Sequence, residues 1–128
     1  MGSYAENDAL GRRLHGALVA GDWSAIRAIL AYDAQWTLPG DNRISGVVKG
    51  ADAIVQRIQD IAAYGVRFDL TDILLSRTDM ALAVHNTAER DGVMLDERLA
   101  TICRVQGDKI TSIETFLSDV DNMNAFFI

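Results

Sequence analysis

Two glutamates, Glu97 and Glu114, are the side chains of this sequence best suited by type and setting to move protons. Each sits in a stretch where apolar and polar residues alternate, the pattern of a strand with one buried face. A carboxyl held among Leu95, Leu99 and Phe116 is desolvated, which raises its pKa toward general-acid or general-base use near neutral pH. Asn86, Thr101 and Trp36 carry the amide, hydroxyl and indole N–H that would hold a substrate oxygen beside it. Leu38, Leu99 and Phe116 supply apolar surface. Apolar walls with a few orienting groups are what a small-molecule site requires.

Other chemistry finds less support. His15 and His85 fall on different elements, without His-x-x-x-His or Cys-x-x-Cys spacing, so no metal is expected. Gly40, Gly46 and Gly50 are not spaced as a phosphate-binding loop, and no cofactor is expected. Cys103, the single cysteine, can form no intrachain disulfide and reads as a small core residue. His15 follows Leu14 on a helix and is expected to be exposed. Tyr32 and Tyr64 are expected to close the space between helices, and Asp33 to be solvated or to cap a turn. Trp36 fits a pocket wall and a plain core position equally.

The elements that must position these groups are legible from period. Leu10, Leu14 and Leu18 mark an amphipathic first helix ending at Gly21. Asp22 is an N-cap for a second helix whose Trp23, Ile26, Ile29 and Leu30 share a face. A short strand through Trp36 and Leu38 stops at Pro39 and the polar turn Gly40-Asp41-Asn42. Ile54, Val55, Ile58, Ile61 and Ala62 form the stripe of a third helix, which Tyr64-Gly65 ends. From Val66 the period becomes two. Val66, Phe68 and Leu70 alternate, and Ile73 and Leu75 continue in the opposite parity, so Thr71-Asp72 predicts a β-bulge. Thr78-Asp79 turns the chain into a strand over 80–90. Asp91-Gly92 and Gly107-Asp108 read as two-residue hairpin loops, a strand over 110–117 follows, and Asp119 caps a short terminal helix.

Those loops set a register and hence two faces. The first hairpin pairs Asn86 with Glu97, Val84 with Leu99 and Leu82 with Thr101. The second pairs Thr101 with Glu114 and Leu99 with Phe116. A three-residue loop at Gln106-Gly107-Asp108 would instead bring Thr115 to the face that otherwise takes Glu114. The face with the larger apolar residues is expected to be concave, under the helices. The other carries small residues, Ala81, Ala83 and Ala100, with His85 and Arg98, and is expected to meet a second subunit in a homodimer.

This order resembles the SnoaL-like and ketosteroid isomerase-like branch of the nuclear transport factor 2-like superfamily. The resemblance is carried by Asp22-Trp23-Ser24, the run Asp33-Ala34-Gln35-Trp36-Thr37-Leu38-Pro39-Gly40, then Gly46 and Gly50-Ala51-Asp52-Ala53-Ile54. It reaches the end of the chain, where Asp119 precedes Asn124-Ala125-Phe126-Phe127. It implies an α+β fold: a cone-shaped α+β barrel with three N-terminal helices packed on a strongly curved, mostly antiparallel sheet, the ligand site at the open end of the cone. The family's acids are absent where the resemblance would put them. Leu38 stands where ketosteroid isomerases carry their aspartate base, and Thr101 where they carry an oxyanion-holding aspartic acid. Epoxide-hydrolase-like members pair an arginine with an aspartate, whereas Arg98 is followed by Leu99-Ala100. SnoaL-like cyclases use an aspartate on the sheet, and no Asp lies mid-strand on the inner face.

Composition limits the remaining choices. At 128 residues the chain reads as a single SnoaL-like domain, 1–128. A net charge of −6 argues against nucleic acid as a partner. No apolar run approaches the ~20 residues that cross a membrane, and a cytoplasmic location is the expectation. The function expected is a small-molecule pocket protein, an acid/base enzyme of cyclase or isomerase type that needs no cofactor and acts on a largely apolar metabolite. The alternative is a non-catalytic binding or dimeric scaffold protein of the same fold.

Overall fold

The computed structural model describes residues 3–128. The chain opens with α1 (Tyr4–Ala20), started by a reciprocal capping pair in which Ser3 accepts from the Glu6 backbone and Glu6 from that of Ser3. After Gly21, Asp22 caps α2 (Trp23–Ile29) by accepting from the Ala25 N–H at 3.2 Å. Strand β1 (Leu30–Leu38) follows α2 without a loop and pairs with β2 (Gly46–Lys49). Helix α3 (Ala51–Ala62) buries Ile54 and Ile61. The rest is β3 (Arg67–Leu75), β4 (Met80–Arg90), β5 (Val93–Gln106), β6 (Lys109–Leu117) and the short α4 (Val120–Phe126). The expected three helices of the N-terminal half are present, α3 entering only after the β1–β2 pair. The fourth packs against β5 and closes the cone from the C-terminal side.

Six strands run in the order β2-β1-β6-β5-β4-β3, antiparallel throughout except for the β1–β6 pair. Four helices and this mixed sheet make an α+β fold. Ile26, Ile54, Leu95, Ile110, Phe126 and Phe127 are almost wholly buried between the helices and one sheet face. In the β4–β5 turn, Asp91 (φ 52°) and Gly92 (φ 81°) both lie in the left-handed region, as a type I′ loop demands. Asn86 accordingly faces Glu97, Val84 faces Leu99, and Leu82 faces Thr101. The bulge in β3 is also found, with the register shifting between Leu70 and Asp72.

The β5–β6 hairpin corrects the expected faces. Its loop has two residues, since Gln106 pairs with Lys109, and Gly107 takes φ 65°. One strand turn later Val105 pairs with Ile110 but Arg104 pairs with Ser112, so β6 carries an extra residue at Thr111. A one-residue bulge moves every later side chain to the opposite face. Thr101 therefore faces Thr115 and Leu99 faces Leu117. Glu114 and Phe116 lie on the convex side, Phe116 49% exposed, and Ile113, Thr115 and Leu117 turn inward.

Two smaller expectations also change. Tyr32 is exposed on β1 rather than closing the cone, and His15 is half-buried. Tyr64 does pack inward, 4.8 Å centroid to centroid from Phe127.

Candidate active-site cavity

Between α1, α3, α4 and the concave face lies a cavity of about 110 Å³. Its walls are mainly aliphatic and aromatic, among them Leu14, Ile58, Leu82, Val84, Leu99 and Phe127. Trp36, Leu38, Asn86, Glu97, Leu99 and Thr101 all line it. Glu114 and Phe116 do not, because the β6 bulge turns them to the other side of the sheet. Among the described residues, no three His, Cys, Asp or Glu side chains gather as a metal set would.

Among the described residues, Glu97 is the only acid in the lining, and it is wholly buried, with 0% exposure. Strand β5 aims it inward between Leu95 and Leu99, and the start of α4 holds one of its oxygens. The Asp119 backbone N–H donates to Oε1 at 3.1 Å, and the Ser118 hydroxyl donates to it at 3.4 Å. Among the described residues, no group hydrogen-bonds Oε2, nor Oδ1 of the facing Asn86. Burial pushes the Glu97 pKa above the ordinary glutamate range. The Asp119 N–H and the Ser118 hydroxyl oppose the rise, and the negative charges of Asp119 and Asp96 add to it.

Asp119 works twice here, because its own carboxylate caps α4 by accepting from the Asn122 N–H at 3.0 Å. Asp119→Ala is expected to lower unfolding stability by about 1 kcal/mol, read as a shifted urea midpoint. An unmoved midpoint would show the cap to be idle.

At the far side of the cavity, four residues along β5 from Glu97 and so about 13 Å away at Cα, lies a second polar group. The Trp36 Nε1–H donates to Thr115 Oγ1 at 3.0 Å, and Thr115 Oγ1 lies 3.2 Å from Thr101 Oγ1. An indole can only donate. The two threonines spend one hydroxyl hydrogen on each other, which leaves one for a carbonyl or a ligand oxygen. Behind Trp36, the buried Arg57 guanidinium stands 5.1 Å from the ring centroid and donates to the Ser45 and Gly46 carbonyls, each at 3.0 Å. It ties the β1–β2 connection to α3 and fixes the indole.

Thr115, which the sequence offered only as the alternative to Glu114, is the residue that faces inward, while Arg57 and His15 went unassigned to the site by sequence reasoning. Arg57 shares a helix face with Ile54 and Ile61, so its position marked it as buried. His15 Nε2 lies 3.0 Å from the Phe68 carbonyl, which can only accept, so this nitrogen carries the hydrogen. His85 is not part of the cavity. It lies on the convex face, with Nε2 2.6 Å from Asp96 Oδ1, and that bond holds the Asp96 carboxyl below its ordinary value. Cys103 is buried, and desolvation pushes its thiol up to about 12, which makes it a core residue and a poor nucleophile.

Residues 11–113 match the model of the SnoaL-like domain. An uncharacterised protein of Mycobacterium tuberculosis is 30% identical over 120 residues, covering 91% of this chain and 92% of the relative. Among solved structures, Bal32a from a soil-derived mobile gene cassette superposes with a TM-score of 0.92 at 24% identity, covering 97% of this chain and 98% of its own. An NTF2-like protein from Burkholderia xenovorans reaches 0.83 at 18% identity and covers 98% of both chains. At these identities the structural neighbours speak for the fold alone.

Proposed function

The chain belongs to the SnoaL-like family of the nuclear transport factor 2-like superfamily, and from that premise we propose that it is an acid/base enzyme of isomerase or cyclase type. Its substrate is a small, largely apolar metabolite, and Glu97 is the group that gives and retrieves the proton. The observation that carries this reading is Glu97 itself: a fully buried carboxyl in an apolar cavity, with one oxygen anchored and the other free of protein partners. Burying a carboxyl is costly, and a purely structural cavity gains nothing from it. Raised in pKa, the group holds a proton at pH values where an ordinary glutamate has lost it, as a general acid must. The spare hydrogen of the Thr101–Thr115 pair offers a second contact for a substrate oxygen.

The test is solvent-deuterium exchange into single-ring ketones, followed by NMR with wild type and Glu97→Gln. Glu97-dependent exchange supports the reading. Exchange on no ketone of the panel would retire it in favour of a binding protein.

The same proposal places the protein in the cytoplasm and pairs two copies through the convex sheet face. Leu74, Met94, Ile102 and Phe116 expose apolar surface there beside the small Ala81, Ala83 and Ala100. Ile102→Glu is expected to shift the sedimentation coefficient from dimer to monomer; a wild-type monomer at micromolar concentration would refute the pairing.

A further inference from the structure

The polar end of the cavity carries an imbalance that its apolar walls do not explain. Asn86 and Glu97 are partners across β4 and β5, so their side chains leave neighbouring strands on one face, about 5 Å apart at Cβ. Each brings a buried oxygen that no protein donor reaches, Oδ1 of Asn86 and Oε2 of Glu97. Unserved buried acceptors are expensive, and two side by side more so. The native ligand is expected to serve them.

Counting hydrogens narrows what that ligand presents. Among the described residues, no lysine or arginine lines the cavity to balance an ionised Glu97. The charged groups acting on its carboxyl are Asp119 at the start of α4 and Asp96 on its own strand, and both oppose ionisation. His15 on α1, the other titratable group of the lining, spends Nε2 on the Phe68 carbonyl. His85 faces away and is bound to Asp96. The acid form therefore has one hydrogen to give, and Asn86 needs one. A ligand carbonyl would take the first and leave the second acceptor unserved; a methyl group would serve neither. A hydroxyl does both.

We infer that the polar end of the ligand is a hydroxyl group, of a small alcohol, phenol or enol, which accepts from the carboxylic acid of Glu97 and donates to Oδ1 of Asn86. A cavity of about 110 Å³ is of the order of the ~150 Å³ engineered cavity that takes benzene. The rest of the ligand is therefore of the size of one ring or a short branched chain. This deepens the reading of Glu97 as proton carrier and rests on it, since the carboxylic acid that holds the hydroxyl is the group that would give and retrieve the proton.

Phenol and toluene have nearly the same shape and differ by the hydroxyl, while benzylamine offers a cation instead. Titration calorimetry at about pH 5 compares the three. Phenol is expected to bind on the order of tenfold more tightly than toluene, the size of one net hydrogen bond. Glu97→Gln should keep that margin, because an amide N–H replaces the acid O–H, and Asn86→Leu should lose it while still binding toluene. Equal binding of phenol and toluene, tighter binding of benzylamine than of phenol, or a margin that survives Asn86→Leu would each overturn the inference. The wild-type comparison stands even if a variant fails to fold. Turnover separates the two readings. A margin kept by Glu97→Gln with full turnover sinks the proton-carrier role alone, and turnover lost without any phenol margin sinks the hydroxyl alone.

Discussion

Replacing Glu97 by glutamine is expected to lower turnover by about 10²- to 10⁴-fold, the range of a general acid or base, while making the fold more stable at neutral and alkaline pH. The two effects have one cause. Burial disfavours the carboxylate more in the folded chain than in the unfolded one, so the folded-state pKa lies above the unfolded value. Between those two values the folded state binds more protons than the unfolded state, and stability falls as pH rises. The stabilising contribution of the protonated carboxyl is thus whole below the ordinary glutamate range and is lost as pH climbs through the raised folded value. Glutamine does not titrate and fits the same space, so the variant should lack this decline. Urea unfolding of both proteins across acidic to mildly alkaline pH reads the stability difference, and the exchange assay reads the rate. A variant that is slower but follows the wild-type pH–stability curve would show that Glu97 ionises freely. A variant that unfolds at low denaturant under all conditions would show that the Asp119 and Ser118 contacts need the carboxylate oxygen itself.

The placement of Glu97 was legible in the sequence because a short chain of local rules led to it. Asp91-Gly92 specifies one turn type, that turn specifies the β4–β5 register, and the register fixes which residues face Asn86 and Leu82. Glu114 shows where the same logic breaks. Its loop length was right, and a single extra residue at Thr111 still put Thr115 in the cavity in its stead. The signal for that bulge was nonetheless present. Ile110 and Ile113 are of opposite parity, and both are buried on one face, which a regular strand cannot achieve. The same parity argument correctly located the bulge near Thr71. Arg57 and His15 are harder, because helical period tells which face is inward but not whether a long polar side chain on it finds acceptors. Arg57 finds them in the Ser45 and Gly46 carbonyls of a connection that has no periodic pattern to read.

The fold as a whole was more legible than its chemistry for a related reason. Architecture is the sum of many weak, mutually consistent preferences along the chain, and one misplaced residue does not change it. A catalytic constellation depends on the facing of two or three side chains, so one bulge decides it. The departures at Leu38 and Thr101 add to this, since they remove the acids by which a family resemblance would normally point to a reaction. The cavity instead holds a hydrogen-bonded row of Trp36, Thr115 and Thr101, with Glu97 beyond it.

Phe127→Ala is the substitution expected to cost most in stability while changing what the cavity admits. Phe127 is 1% exposed and lines the cavity from the C-terminal end of the chain. Its ring stands edge-on to Phe126 at 4.9 Å and to Tyr64 at 4.8 Å, so three aromatic rings close the cone together. The backbone around it is anchored independently of the ring. The Phe127 carbonyl accepts from the Arg43 N–H at 3.1 Å, and the Phe126 carbonyl accepts from Arg90 Nη1 at 3.0 Å. Those anchors should keep the terminal segment in place when the ring is removed, leaving the vacated space open. Truncating a buried phenylalanine in this way costs about 3–5 kcal/mol, a large share of the 5–15 kcal/mol typical of a whole domain. In a chain of this length that corresponds to a drop in Tm on the order of 10 °C. The opened space joins the cavity, so 2-naphthol, which the wild-type protein should exclude by size, is expected to bind the variant and to recover part of the lost Tm. A small loss of stability would mean that the three rings do not pack as a unit. A large loss without 2-naphthol binding would mean that α4 collapses into the space, and that the terminal segment, rather than the sheet, sets the size of ligand the cavity accepts.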